Sequence, residues 1–216
     1  MRTNWREEVG KFRAWAATLS GHFGEWECDY DGWEAIYKGV GEFLSHSVPK
    51  NWDSAEVEDL LYIVARDNEG EVIANMLREI NPEITFRLAL QSLMSSDPDG
   101  RWQIADVLDQ WPRDERTEPL LLRFMEDEAE YVRRRALQSL ARIGSAQTES
   151  LALREWNRED ENQQWSRMNA LRCWHHIKSS RLETHLREAE ASPYSHLPEF
   201  ARKLRNGELH PWQQPF

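Results

Sequence analysis

The sequence has 216 residues and a formal net charge of −11 at pH 7, so its field repels nucleic acid and favours basic partners. It contains no run of about 18 or more apolar residues, which argues against a membrane span, and its N-terminus lacks the apolar stretch of a secretory signal. Two distant cysteines, Cys28 and Cys173, favour free thiols and a cytoplasmic location.

Two helices are predicted at the N-terminus, because residues 4–20 and 32–47 each carry apolar side chains at helical spacing. The segment between them, GHFGEWECDYDGW, mixes aromatic with acidic side chains. We interpret the two helices as a capping pair that closes a helical stack with a polar outer face. The alternative interpretation is a dedicated binding loop, with Glu25, Trp26 and Asp29 as its candidate residues.

The most regular stretch of the chain is residues 127–144, DEAEYVRRRALQSLARIG. Apolar side chains recur there at steps of four, four and three, which places them on one helical face that we expect to be buried. They are Val132, Ala136, Leu140 and Ile143. Gly144 follows them, where a left-handed cap is expected to end the helix. The pattern D-x4-V-R-x2-A-L-x2-L-x2-I-G resembles the second helix of a HEAT-like repeat, in the variant of the phycobilisome lyases.

The same pattern recurs along the chain, as it must if one helix pair cannot bury its apolar face alone. A clear copy, ENQQWSRMNALRCWHHI, lies 34 residues downstream, and a weaker copy, DPDGRWQIADVLDQW, lies 32 residues upstream. A fourth copy, EGEVIANMLREI, lacks the arginine. Helical patterns between the copies supply the first helix of each pair, over residues 54–66, 82–95, 117–126 and 145–157. A last pair is predicted over residues 181–191 and 197–205.

These patterns predict an all-α fold, an α-α superhelix of antiparallel helix pairs, in which residues 1–216 form a single HEAT-like domain. N-terminal capping helices occupy residues 1–48, HEAT-like repeats occupy residues 53–179, and a C-terminal cap and tail occupy residues 180–216.

Three arginines recur in register at the start of the second helices: Arg101, Arg133 and Arg167. In repeats of the kind that this chain resembles, such an arginine usually pairs with acidic residues of a neighbouring repeat. The resemblance therefore implies a structural role for these arginines, in a buried ladder of ion pairs.

The resemblance also implies that the second helices line a concave side, where superposed repeats give an outward row of candidate binding residues. The row comprises Glu71, Asn75, Glu79, Trp102, Asp106, Gln110, Arg134, Gln138, Arg142, Met168, Arg172 and His176. It passes from acidic through aromatic to basic side chains. A groove with charges of both signs suits a folded protein or peptide better than a uniform polyanion.

The sequence shows no catalytic pattern, so we expect a non-enzymatic protein without a cofactor. It lacks a Gly-x-Ser-x-Gly nucleophile elbow and a Gly-rich phosphate loop. Cys173, His175 and His176 cluster on one helix with His185 beyond, but one helix offers at most two metal ligands on a face. No His is followed by Glu, unlike the His-Glu pairs of di-iron HEAT-repeat hydroxylases. We therefore predict no metal site.

The leading hypothesis is a HEAT-repeat protein–protein interaction module that binds another protein with a basic surface. One concrete form is a bacterial immunity or inhibitor protein, small and acidic, that blocks a basic toxin. The alternative is a DNA-binding or DNA-repair protein, since some HEAT-like proteins of this length resemble alkylpurine DNA glycosylases. Residues 1–132 carry a net charge of −15, which would repel a duplex. We expect neither nucleic acid nor a membrane as the partner.

Overall fold

The structure is a computed structural model that describes residues 4–22 and 24–209. Phe23 of the acidic–aromatic segment and tail residues 210–216 lie outside the described residues. The described residues form α-helices and short 3-10 turns, with no strand among them, and successive helices pack as neighbours. The predicted all-α fold of the HEAT-like α-α superhelix class is therefore confirmed. Within the described ranges, no helix is both long enough and apolar enough to cross a membrane.

The chain divides into two compact units, Met1–Leu120 and Leu121–Phe216, and each is described by itself. The helices of the first unit are α1 (Trp5–Ala16), α2 (Trp33–His46), α3 (Ser54–Arg66), α4 (Val72–Glu79), α5 (Pro82–Ser92) and α6 (Pro98–Val107). α7 (Thr117–Phe124) contains the boundary. The second unit contains α8 (Glu130–Arg142), α9 (Thr148–Trp156), α10 (Gln163–His176), α11 (Leu182–Glu190) and α12 (Leu197–Arg205). The single domain over residues 1–216 stays a prediction.

α6 is the central helix of the first unit, since it packs against α3, α4 and α5, and its side chains are buried from residue 100 to residue 107. Buried polar groups are costly unless they are hydrogen-bonded, and two polar side chains of α6 bond to neighbouring helices. The Gln103 amide donates to the backbone oxygen of Val64 on α3, and Asp106 accepts from Arg78 on α4. These bonds fix α6 against two neighbouring helices.

α10 has the same role in the second unit, where it contacts α8, α9, α11 and α12. Trp174 of α10 is wholly buried. The Gln138 side chain on α8 donates to Asn169 Oδ1 on α10 at 2.7 Å, and Asn169 Nδ2 donates to the backbone oxygen of Arg134 at 3.1 Å. A hydrogen-bonded amide pair therefore joins these two second helices inside the core.

The apolar face of α8 is buried as predicted at Val132, Ala136 and Leu140. Ile143 is only half-buried, so the expectation of full burial is wrong there. The reason is that α8 ends at Arg142 and Ile143 is its C-cap residue, beyond the last packed turn.

α8 and α10 end in equivalent left-handed caps. Gly144 has φ +75°, and the Ser145 amide donates to the Leu140 carbonyl at 3.0 Å, as in a Schellman motif. The left-handed cap predicted at Gly144 is confirmed. Lys178 lies 34 residues later, in the same register, and has φ +56°. A side chain with a Cβ therefore occupies a position that favours glycine.

Replacing Lys178 by Gly is expected to raise the free energy of unfolding by roughly 0.5–1 kcal/mol, because it removes the Cβ from a left-handed residue. Gly144→Ala should lower that free energy by about 1 kcal/mol, since a Cβ there meets no atom within 4 Å and only the backbone is strained. Urea unfolding measures both changes. Lys178→Ala removes the charge and keeps the Cβ, so an equal gain in that variant would contradict the explanation.

Candidate protein-interaction site

The row of candidate binding residues is exposed only in part. Its exposed members are Asn75, Glu79, Gln110 and His176, and its half-buried members are Glu71, Arg134 and Arg142. Its buried members are Trp102, Asp106, Gln138, Met168 and Arg172. The expectation of an outward row is therefore wrong at these five positions, while a binding role for the exposed members stays a prediction.

The buried row positions of the second unit lie where second helices meet. α10 packs against both α8 and α12, so residues on the sides of these helices face a neighbour. Gln138 is used in the amide pair with Asn169, and the Arg172 guanidinium lies over the Phe200 ring of α12, at 5.1 Å from its centroid. Burial and then the positive charge of Arg134 lower the pKa of Arg172 to about 10. These side chains hold the helices together.

In the first unit the same position is also used for packing. Asp106 pairs with Arg78 of α4, and the Arg78 Nη1 atom donates to Asp109 at 3.1 Å. Trp102 is 4 % exposed. The pattern of one helix could not reveal this, because it identifies the most apolar face and not the sides that neighbouring helices cover.

Trp102→Ala is accordingly expected to lower the free energy of unfolding by about 3–5 kcal/mol, as truncation of a buried tryptophan does elsewhere. Gln110→Ala is the control at an exposed position of the same row, and it should change stability by less than about 0.5 kcal/mol. Thermal or urea unfolding decides between core and surface, because equal stability of the two variants would mean that Trp102 is not in the core.

The arginines in register have structural contacts. The Arg133 side chain is 2 % exposed, and its Nε atom donates to Glu155 Oε2 of α9 at 3.1 Å. Its Nη1 atom donates to the Asp127 carbonyl at 2.9 Å, six residues back. Arg101 makes the same kind of contact to the Ser95 carbonyl, also six residues back. The predicted acidic pairing is thus confirmed for Arg133.

Arg167 is the third arginine of the register, and its contacts differ. Its Nε atom donates to the Trp156 carbonyl at 3.1 Å, and its guanidinium lies 5.1 Å from the centroid of the Trp156 ring. It also approaches the Tyr194 ring, at 5.9 Å. All three arginines therefore bind backbone carbonyls that precede their helices, in the loop for Arg101 and Arg133 and at the end of α9 for Arg167.

Arg133→Ala is expected to cost about 3 kcal/mol of stability, because it leaves the buried Glu155 carboxylate without its most buried partner. Arg158→Ala is the matched control, since Arg158 Nε contacts the same carboxylate at 3.3 Å from a side chain that is 36 % exposed. The control should cost less than about 1 kcal/mol. Equal losses in urea unfolding would overturn the structural role of Arg133.

The second candidate region lies on an aromatic cluster of the first unit. The cluster comprises Phe12, Trp15, Trp26, Tyr30, Trp33, Tyr37 and Tyr62. Phe12 is fully buried at its centre, and Trp26 stacks on Trp15 with ring centroids 5.8 Å apart. Aromatic packing therefore fixes the segment between α1 and α2, which forms a 3-10 turn at Trp26–Asp29.

The carboxylates of this turn point in different directions. Glu27 is 4 % exposed, with Oε1 at 3.6 Å from Arg66 Nη1, and burial raises the pKa of its carboxyl. Glu25 and Asp29, two of the candidate residues, are exposed, whereas Trp26 is half-buried. The turn therefore exposes the carboxylates of Glu25 and Asp29 to solvent, whereas the Glu27 carboxylate is buried near Arg66.

A further carboxylate joins them from the loop between α3 and α4. The pKa of the Cys28 thiol is raised, first by partial burial and then by the negative charges of neighbouring carboxylates, which include Glu25, Glu69 and Asp29. Glu69 is exposed. We call Glu25, Asp29 and Glu69 the acidic surface. Sequence reasoning missed Glu69, since it is 40 residues from Asp29 and no local pattern connects them.

The loop that carries Glu69 is fixed by a buried carboxyl group. Asp67 Oδ2 accepts from the Ile73 amide at 2.7 Å, and the Tyr37 hydroxyl of α2 donates to Asp67 Oδ1 at 2.8 Å. Burial raises the pKa of Asp67. These bonds join the α3–α4 loop to α2, and the charge of Glu69 in that loop raises the pKa of both Glu27 and Cys28 in the turn.

Within residues 4–22 and 24–209, no group of three or more His, Cys, Asp or Glu side chains is arranged to hold a metal ion. Cys173 is fully buried, and its thiol donates to the Leu137 carbonyl, with a sulfur–oxygen distance of 3.8 Å. Burial raises the pKa of this thiol to about 12. Cys173 is therefore a core residue between α8 and α10.

Comparison with known families supports the architecture. Residues 86–173, which run from within α5 to within α10, match the HEAT repeats family. This match and the paired helices together support a HEAT-like repeat architecture. None of the curated proteins compared with the chain matches it.

Proposed function

We propose that the chain is an interaction module that binds a protein with a basic surface through the acidic surface of its first unit. HEAT repeats are generally scaffolds for protein–protein interaction, so the repeats support the general class of function. We also propose that residues 127–144 are a repeat of the phycobilisome-lyase type, because their sequence pattern resembles those repeats.

The distribution of charge is the observation that carries the proposal. Residues 1–120 contain 12 Lys and Arg against 24 Asp and Glu, a net charge of −12. Residues 121–216 contain 15 against 14, a net charge of +1. The negative charge thus belongs to the unit in which the exposed Glu25, Asp29 and Glu69 each act on the Cys28 thiol. Complementary charge speeds association and selects among partners.

An aromatic side chain, Trp26, also lies in the turn that carries Glu25 and Asp29. Trp26, next to Glu25 in the chain, is half-buried against Trp15, so part of it remains accessible. Tryptophan is among the residues that most often anchor protein interfaces. The exposed Asn75 and Glu79 of α4, in the same unit, remain a second candidate set for contacts.

One specific form of this function is a small acidic inhibitor, such as a bacterial immunity protein that blocks a basic toxin. In that form the captured protein has a toxic activity that the chain suppresses. The net charge of the first unit disfavours the alternative, a DNA-binding or DNA-repair protein, because binding to a duplex depends on neutralising its phosphates.

Charge reversal of the acidic surface tests the proposal. The wild-type chain and a triple variant, Glu25→Lys, Asp29→Lys and Glu69→Lys, are immobilised, and proteins captured from a lysate of the native host are identified by mass spectrometry. The variant is expected to lose basic proteins that the wild type retains. Affinity for a purified captured protein should fall about thirtyfold or more, which corresponds to about 2 kcal/mol at a binding centre.

The matched control reverses three exposed carboxylates of the second unit, Glu159→Lys, Glu161→Lys and Glu188→Lys, with the same change in net charge. It should retain the basic proteins. If both variants lose the basic proteins equally, the effect comes from net charge alone. If the triple variant of the acidic surface captures the same proteins as the wild type, the acidic surface is not the binding site. Submicromolar binding of random duplex DNA with a steep salt dependence would promote the DNA-binding alternative.

A further inference from the structure

A groove of about 570 Å³ lies between α3 and α5 of the first unit. Val57 and Leu61 of α3 form its apolar wall, and the half-buried Tyr62 lies further along the same helix. Met94, just after α5, lines the other side. The volume falls in the range of ligand-binding clefts and exceeds what a single side chain fills.

Met94 is the most exposed hydrophobic side chain at this groove. Among the described residues, the exposed large hydrophobics are Met94 at 81 %, Leu90 at 51 % and Val48 at 49 %. Leu90 lies on α5, one helical turn before Met94, and Val48 precedes the turn Pro49–Asn51, which packs on α5. A single exposed Leu needs no explanation, but Met94 both lines the groove and is the most exposed of these side chains, so it offers apolar area to a ligand there. Methionine suits it, because its flexible thioether adapts to different partners.

The lining of the groove carries charges of both signs, which differ in exposure. Glu58 of α3 is exposed, and the half-buried Asp97 stands at one end. Arg87 is the cation in the lining, and its guanidinium already donates to the Trp52 carbonyl at 2.7 Å. Arg87 and Asp97 are half-buried, and Asp97 pairs with Arg66, so the exposed Glu58 carboxylate is the most accessible charge of the lining.

Arg66 connects one end of the groove to the turn that carries part of the acidic surface. This guanidinium pairs with Asp97 at the end of the groove, and it lies 3.6 Å from Glu27 in the turn that carries Glu25 and Asp29. A bound segment could therefore place apolar side chains in the groove and cations at both Glu58 and the acidic surface.

We propose that the groove between α3 and α5 binds an amphipathic helical segment of the basic partner, with an apolar side chain against Val57, Leu61 and Met94 and a Lys or Arg at Glu58. This inference rests on the proposed function for the sign of the partner's charge. The helical form follows from the groove, which runs between two helices and offers no strand edge among the described residues. A helix that inserts apolar side chains from one face is the usual ligand of such grooves.

Methyl NMR with synthetic peptides tests the proposal. The probe is a 14-residue Leu–Lys peptide with Leu at helical spacing, and the chain carries ¹³C-methyl methionine. The Met94 methyl signal is expected to shift saturably, while the signals of the buried Met125 and Met168 stay in place. A Ser–Lys peptide of equal charge and a Leu–Glu peptide of opposite charge should each bind at least tenfold more weakly.

Two variants locate the binding. Met94→Gln and Glu58→Gln change exposed side chains, so both should fold, and each is expected to weaken the Leu–Lys peptide about tenfold. Glu34→Gln, at an exposed carboxylate of α2, is the matched control and should leave affinity unchanged. Circular dichroism confirms folding of all three.

The outcomes separate this inference from the proposed function. If the peptide binds wild type and Met94→Gln equally but not the triple variant of the acidic surface, the groove is wrong and the acidic surface stands. If no peptide binds, the groove is again wrong, and capture by the acidic surface is judged by its own experiment. Self-association that Met94→Gln abolishes would assign the groove to a second copy of the chain and overturn the basic partner.

Discussion

Each unit depends on a central helix that neighbouring helices cover on several sides, α6 in the first unit and α10 in the second. Such a helix cannot keep its polar side chains in water, so they must find partners inside the protein. The Gln103 amide reaches a carbonyl of α3, and Asn169 exchanges hydrogen bonds with α8. Arg133 extends the same solution, since one guanidinium binds the Glu155 carboxylate and the loop carbonyls before its own helix.

This constraint moves the available binding chemistry to the edges of the helix pairs. Side chains between second helices are used for packing, as Arg172 over Phe200 illustrates. Exposed charge and exposed apolar area remain at the turn Trp26–Asp29, at the loop that carries Glu69, and along α3 and α5. The aromatic cluster and the buried Asp67 support these peripheral features, so they stand on a rigid base.

Electrostatics at the acidic surface makes it receptive to cations. The carboxylates of Glu25, Glu69 and Asp29 lie close enough to raise the pKa of the Cys28 thiol. Like charges held together oppose the compact state, and a bound Lys or Arg relieves that repulsion. Arg66 already relieves such repulsion beneath the surface, because its guanidinium contacts the carboxylates of both Glu27 and Asp97. A cationic partner would extend this pairing from the interior to the surface.

The sequence by itself determined the helices and their register. Residues 54–66 and 197–205 became α3 and α12 with the predicted bounds, and the left-handed cap predicted at Gly144 is present. Only the tertiary structure decided which sides of the helices are covered, and it buried Trp102 and Gln138. It also brought Glu69 beside Asp29 and opened the groove between α3 and α5. The physical reason is that periodicity reports one helix's apolar face, whereas burial of its sides depends on how neighbouring helices pack.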